Sequence, residues 1–278
     1  MKHNIFNVLI INRWFVFGII LAVLLVIVFT AGAWFSRYDP YNASFSPLSP
    51  PSARHWLGVN DGGMDIFSEL MYAVRNTVLF GVLSAAAALA LGIFAGLTAA
   101  WKGGLTGNIL MRLSEVIMSV PPVMIMIIVA SFMRPSAVTL AFTLSLVSWP
   151  TTAKAIRSQA LALRERMHVR AARDMGGTSS YIIVRHLLPE LFPLYLIGFI
   201  AKLRMAVFME ASLAFLGLFD PARKSIGSMI RYALQYYYLD VWLNWLIPPV
   251  VCFSLIIMSI TFLAISLEEV FDPRLKEI

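Results

Sequence analysis

The chain has 278 residues, of which 59% are hydrophobic and 13% charged, and carries a formal net charge of +7. A water-soluble domain cannot hold that balance, because too few polar side chains remain to cover its surface. The basic excess does not point to nucleic acid, because its placement along the chain follows the pattern that membrane topology imposes.

Phe15–Phe35 is free of charge, as are Asn76–Trp101 and Val241–Leu267. About 20 apolar residues cross a bilayer as a helix. The first run places a span at 15–35. Ala31-Gly32-Ala33 looks like a small-residue cleavage site, but the apolar run before it is too long for a signal core and further spans follow. Residues 36–75 form an outer loop, Pro- and Ser-rich at first. Ile66, Phe67, Leu70, Met71 and Val74 then recur at helical spacing, which predicts an interfacial helix over Asp65–Arg75. The span at 76–101 carries Gly92-x-x-x-Gly96 among alanines, a pattern that lets helix backbones approach closely. Spans at 112–133 and 135–153 follow, joined by a tight turn at Arg134-Pro135. Pro121-Pro122 and Trp149-Pro150 free backbone carbonyls that protein or a watery cavity must shield, unless Pro150 marks a helix end.

The loop 154–188 is the basic part of the chain. Ser158–Met175 has high helix propensity and neither Gly nor Pro, so one helix is expected there. Gly176-Gly177 stops it with a left-handed cap. Thr178 or Ser179 then caps a second helix, and Pro189 closes that one. The span at 189–217 contains Lys202, Arg204 and Glu210, charges that are costly toward lipid and are the candidate contacts of a transported solute. Lys202 and Glu210 are about 12 Å apart along the axis, too far for a simple ion pair. Lys202 and Arg204 are expected either to face a cavity or partner and pass an anionic group, or to snorkel at an interface. Outer loop 218–241 includes Ile226–Tyr238, whose Tyr236-Tyr237-Tyr238 and nearby Trp242 and Trp245 suit interfacial anchoring. The last span is 242–267, and its Cys252 is a packing residue. The expected fold is all-α, with six membrane-spanning helices. With both ends inside, 13 Lys and Arg lie on inner segments and 7 on outer ones, in agreement with the positive-inside rule.

The chain lacks a Gly-x4-Gly-Lys-Ser/Thr loop, His-Glu-x-x-His and Gly-x-Ser-x-Gly. Its four histidines are scattered, and the glycine turn separates His168 from His186. No catalytic residue, bound cofactor or metal site is therefore expected of this chain.

Ala171-Ala172-x3-Gly176-x12-Pro189 resembles the cytoplasmic coupling loop of the ABC importer permeases, with Arg170 where that family has Glu and His186 where it has an apolar residue. More of the chain is similar to one branch, the second permease of the dipeptide, oligopeptide and nickel importers. His55-x-Leu57-Gly58-x2-Asp61-x-Gly63-x-Asp65, with Met64 where Arg is usual, and Tyr72-Ala73-Val74-Arg75 look like its signature before span two. Glu210-Ala211-Ser212-Leu213-Ala214-Phe215-Leu216-Gly217-Leu218, Gly227-Ser228-Met229 and Asp272-Pro273-Arg274-Leu275 complete the set, so the resemblance covers residues 55–275. It implies a type I ABC importer permease in a prokaryotic inner membrane. The implied partners are a second permease subunit, two ABC ATPase subunits that carry ATP and Mg, and an extracytoplasmic substrate-binding protein, for which the 226–238 helix is a candidate docking surface. It also implies that Ala171, Ala172, Arg173, Asp174, Met175, Gly176, Gly177 and Pro189 receive force from an ATPase. Short peptides or a metal chelate are the implied cargo. The competing reading is a channel or ion-gradient carrier working without an ATPase, which would usually show paired repeats or polar broken helices, and neither is evident.

Overall fold

The computed structural model describes residues 13–133, 136–220 and 223–271. The expected turn at Arg134-Pro135 and the motif Asp272-Pro273-Arg274-Leu275 lie outside the described residues. Within them the chain is helical, and its one extended pairing is an isolated bridge between Val59 and Asp65.

Helix α1 is Arg13–Phe35. Helix α2, Ile66–Lys102, joins the expected interfacial helix and the following span into one element of 37 residues. Nothing between Asp65 and Asn76 breaks it, and the Asp65 carboxylate caps its start by accepting from the Ser68 amide. At 1.5 Å per residue it runs about 55 Å, well beyond the bilayer core. The span expected at 112–133 is broken instead: α3 (Gly104–Met118) and α4 (Pro122–Met133) meet at 74°. Pro121 and Pro122 donate no backbone hydrogen bond, so the helix cannot be carried through them. Helix α5, Ala137–Arg164, takes Pro150 into its interior and extends beyond the span expected to end at 153.

The single helix expected over Ser158–Met175 is divided. After α5 the chain turns at Glu165-Arg166, and α6 (Met167–Asp174) starts from Arg166 in an extended conformation, φ −68° and ψ 144°. High propensity on both sides did not prevent the break, because the turn folds Val169 back into a buried cluster. Pro189 does not close the next helix either. Helix α7 (Ser179–Ile182) runs through a π-turn, Ile183–Leu187, into α8 (Leu188–Glu190) and then α9 (Phe192–Phe215). The wider turn moves the hydrogen-bond register past the proline, with the Leu188 amide bonded to the Ile183 carbonyl. Helices α10 (Ile226–Leu234), α11 (Trp242–Trp245) and α12 (Ile247–Phe271) complete the fold.

Helices α2 and α5 share the most extensive contact. Gly92 and Gly96 explain it: a Cβ on Gly92 would lie 2.7 Å from Thr152 Cβ, and one on Gly96 2.7 Å from the Ala153 carbonyl oxygen. The small-residue motif thus serves packing within the chain. Helix α9 lies along α2, where Gly81 admits Val207. Helices α1 and α12 form a second pair, tied by Ser259 Oγ donating to the Gly18 carbonyl (3.2 Å).

Among the described residues, three segments are long and apolar enough to cross a membrane: Ile66–Lys102, Phe192–Phe215 and Trp242–Phe271. The bent pair α3–α4 adds a fourth if it is one span.

Candidate functional site

The loop between α5 and α9 forms a knob with a buried root and an exposed tip. Val169 of α6, Ile182 and Leu187 are each 1% exposed and pack with Leu97, Ile156 and Leu163. The root is therefore fixed to α2 and α5, the tightest pair in the fold. Trp101, near the end of α2, takes the guanidinium groups of Arg164 and Arg173 over its ring at 5.2 and 5.5 Å, and Arg164 also donates to the Ala100 carbonyl. Cations over an aromatic face add to the anchoring.

At the tip, Ala171, Arg173, Asp174, Met175 and Gly176 are exposed, Met175 at 88%. Gly176 sits at φ +85° with nothing within 4 Å of where its Cβ would lie, and Gly177 comes so close to the Ala172 carbonyl that a Cβ would be 2.6 Å from that oxygen. The Met175 amide bonds to Ala171, Gly176 to Arg173 and Gly177 to Ala172, which closes the last turn of α6. Thr178 is the cap of α7 and accepts from the Tyr181 amide. Arg170, at the position where the resembled family has Glu, pairs with Glu165 and holds that carboxyl below its ordinary pKa. Pro189, the last of the sequence-predicted loop residues, is exposed at the far end of the loop.

The glycine turn does not keep the two histidines apart. Their ring centroids lie 5.9 Å from each other, and Glu190 bridges His168 Nε2 (2.5 Å) and Arg166 Nη1 (3.3 Å). Sequence reading had no access to this cluster, because it depends on the break at Glu165-Arg166.

The three charges predicted in the 189–217 span fall on different faces of α9. Lys202 is turned toward α5, where its Nζ donates to the Ser148 carbonyl (2.6 Å) and to Thr151 Oγ1 (2.5 Å), on either side of Pro150. Arg204 is exposed and makes no hydrogen bond or ion pair with any described residue. Glu210 is 1% exposed, and neither carboxylate oxygen has a hydrogen bond of ordinary geometry. The Thr77 and Ser225 hydroxyls and Arg223 are the polar groups that act on it.

The far end of the bundle gathers the remaining motifs. His55 Nδ1 meets Asp65 Oδ1 at 2.8 Å, and Asn60 donates to Glu69 at 2.8 Å. Gly58 and Gly63 adopt positive φ so that the loop can fold over the start of α2. Lys224 Nζ pairs with Glu69 (3.0 Å) and touches Met64 Sδ (3.1 Å), and so supplies a cation beside the methionine that stands where Arg is usual. Gly227 packs directly on the Ala211 carbonyl, which brings together the two motifs that start at Glu210 and at Gly227. Tyr236 donates to Asp61 at 3.1 Å, while Tyr237 and Tyr238 are exposed.

Residues 60–277 match the family model described as "Binding-protein-dependent transport system inner membrane component". A Brucella ovis protein whose name assigns it to the peptide permeases is 32% identical over 268 residues, 95% of this chain and 88% of that protein. The oligopeptide transport system permease protein OppC of Bacillus subtilis is 27% identical, covering 96% of this chain and 87% of OppC. The dipeptide transport system permease protein DppC of the same organism is 28% identical, covering 95% and 83%. Among solved structures, an inward-facing MetNI methionine ABC transporter aligns with a TM-score of 0.57 and 18% identity, over 73% of this chain and 96% of that one. The family match over residues 60–277 sets aside an ion-gradient carrier or free-standing channel. The chain belongs to the family of binding-protein-dependent transport system inner membrane components: it is a membrane permease rather than an enzyme, and ATP is hydrolysed on a partner subunit.

Proposed function

We propose that this chain is one permease of an ATP-driven importer of short peptides, with six spans and both ends inside. In this reading α1, α2, the bent pair α3–α4, α5, α9 and α12 are the spans. The 165–190 knob faces the cytoplasm, and the 36–75 loop faces outward with the exposed Tyr237 and Tyr238. A second permease, two ATPases that bind ATP and Mg, and an external binding protein complete the assembly. The relatives' names supply the peptide cargo.

The observation that carries the reading is the knob itself. Its tip (Ala171 to Gly176) presents small side chains, one long thioether and the charges of Arg173 and Asp174, while its root is buried against α2 and α5. A surface of this kind takes a push at the tip and delivers it to the bundle. The permease then needs only two packings close in energy, which the ATPase pair biases.

Co-purification of the complex tests partnership, and two substitutions test docking. Ala171→Trp adds bulk at an exposed site of ordinary backbone geometry. Gly176→Trp adds bulk and about 1–2 kcal/mol of left-handed strain. Both are expected to remove ATPase binding and uptake while the permease pair still folds. Normal assembly and transport by both variants defeats the docking role.

A further inference from the structure

The knob is joined to the bundle in two chemically different ways. Its apolar root packs Val169 with residues of α2 and α5 and with Leu187 and Leu191. Apolar contact is non-directional, so by itself it lets α6 pivot on its seat. The second joint is polar, and one carboxylate makes it. Glu190 is the last residue of α8, two positions before α9 begins. Its Oε1 meets His168 Nε2 at 2.5 Å, and its Oε2 accepts from Arg166 Nη1 at 3.3 Å. Arg166 is the cap residue of α6, and His168 stands in the first turn of that helix. Two donors on the start of α6 thus share one acceptor at the start of α9, and bonds to a charged group fix orientation as well as distance.

The surroundings hold this joint in place. Arg170 is engaged by Glu165 and does not compete for Glu190. The His168 ring lies 5.9 Å from that of His186, tilted by 43°, and Tyr181 stands edge-on to His186 at 5.6 Å. This row of rings joins α7, the π-turn and α6, and steadies the imidazole whose Nε2 meets the carboxylate. On the other side of Glu190 the backbone carries straight on. The Leu191 amide donates to the Leu187 carbonyl (3.0 Å), the Tyr195 amide donates to the Leu191 carbonyl (3.1 Å), and Leu191 itself is buried. A displacement of Glu190 is therefore handed to α9 without a slack joint. Lys202, which bonds to α5, lies on the helix that would be moved.

We propose that Glu190 is a positioning residue of the transport cycle, which turns displacement of α6 into movement of α9 through its strap to Arg166 and His168. The proposal rests on the permease reading above and adds the route by which the push reaches this span. All three side chains are partly exposed, so solvent screens each bond. The strap is worth about a two- to fivefold bias toward an α9 that follows α6.

The test uses the whole transporter, with its ATPases and binding protein, in proteoliposomes. This chain carries Cys252→Ser, which removes its only cysteine, and the partner subunits are made free of cysteine. Phe94→Cys on α2 and Phe208→Cys on α9, at positions 73% and 59% exposed, take spin labels. Double electron–electron resonance then reads the fraction of α9 that shifts against α2 when ATP and vanadate close the ATPases. Glu190→Ala is expected to lower that fraction about two- to fivefold with the ATPases still bound, and Glu190→Gln, which keeps an acceptor oxygen, to lower it less. Arg166→Glu alone should be as defective as Glu190→Ala, while Arg166→Glu with Glu190→Arg should restore most of the shift. An unchanged fraction in Glu190→Ala overturns the proposal, and so does a double variant no better than Arg166→Glu. An α9 that does not shift in the unaltered strap, or a Glu190→Ala transporter that loses its ATPases, overturns it too, the latter by placing Glu190 in docking. Absence of ATPase from the transporter with its strap intact is a separate failure, of the permease reading itself.

Discussion

Val169→Ala isolates transmission from docking. Val169 is 1% exposed and packs with Leu97, Ile156, Leu163, Ile182 and Leu187, whereas the proposed contact surface at Ala171 and Met175 is left intact. The substitution deletes two buried methyl groups. At about 0.8 kcal/mol each plus a cavity contribution, the root loses about 2–3 kcal/mol of attachment. That lowers the ratio of seated to unseated root by roughly 30- to 150-fold. Amide hydrogen exchange over Met167–Asp174 should accelerate by a comparable factor wherever local opening controls it. In proteoliposomes the ATPase should still bind and hydrolyse ATP, but peptide moved per ATP should fall several-fold. If exchange accelerates while peptide per ATP stays at the wild-type value, the buried root does not carry the force, and the mechanical reading of the knob is wrong.

Gly96→Val puts a branched side chain where even a Cβ would be 2.7 Å from the Ala153 carbonyl oxygen and 2.9 Å from Ile156 Cβ. The α2–α5 pair must separate, and thermal unfolding of the detergent-solubilised chain should show a loss of about 3 kcal/mol or misassembly. Lys224→Met leaves Glu69, itself 3% exposed, with Asn60 but no cation. Breaking a buried pair in this way costs about 3–5 kcal/mol; the Lys224→Met, Glu69→Gln double variant should recover much of it, and equal stability of the single and double variants would show that the pair is not coupled.

The sequence made the helices legible wherever a long uncharged run left the backbone one way to satisfy itself in lipid. Gly92-x3-Gly96 announced a close approach, because only backbone without Cβ allows it. The glycine stop at Gly176 was readable for the same kind of reason, since its φ of +85° penalises any side chain. The break at Glu165-Arg166 was not readable: every local propensity favours a continuous helix, and the turn is decided by where Val169 can be buried. Lys202 and Arg204 look equivalent as charges in a span. Their separation onto two faces depends on the phase of α9 and on hydrogen-bond acceptors beside Pro150, some fifty residues earlier. The link between Lys224 and Glu69 likewise joins distant segments that no short pattern connects.

The π-turn at Ile183–Leu187 sets the azimuth of everything that follows it. It holds one residue more than an α-helical turn would use. Closing the same residues as α-helix, with none removed, would rotate α9 by about 100° about its axis, unless packing resists. Arg204 would then swing away from its present face, and Lys202 would lose its acceptors on α5. A wheel of side chains in mid-membrane is thus indexed by a single surplus residue at the edge of the bilayer: deleting that residue lets the turn close as α-helix with α9 in its present phase, whereas a one-residue insertion between the turn and α9 is expected to rotate α9 by about 100° and to be far more damaging than a conservative substitution there.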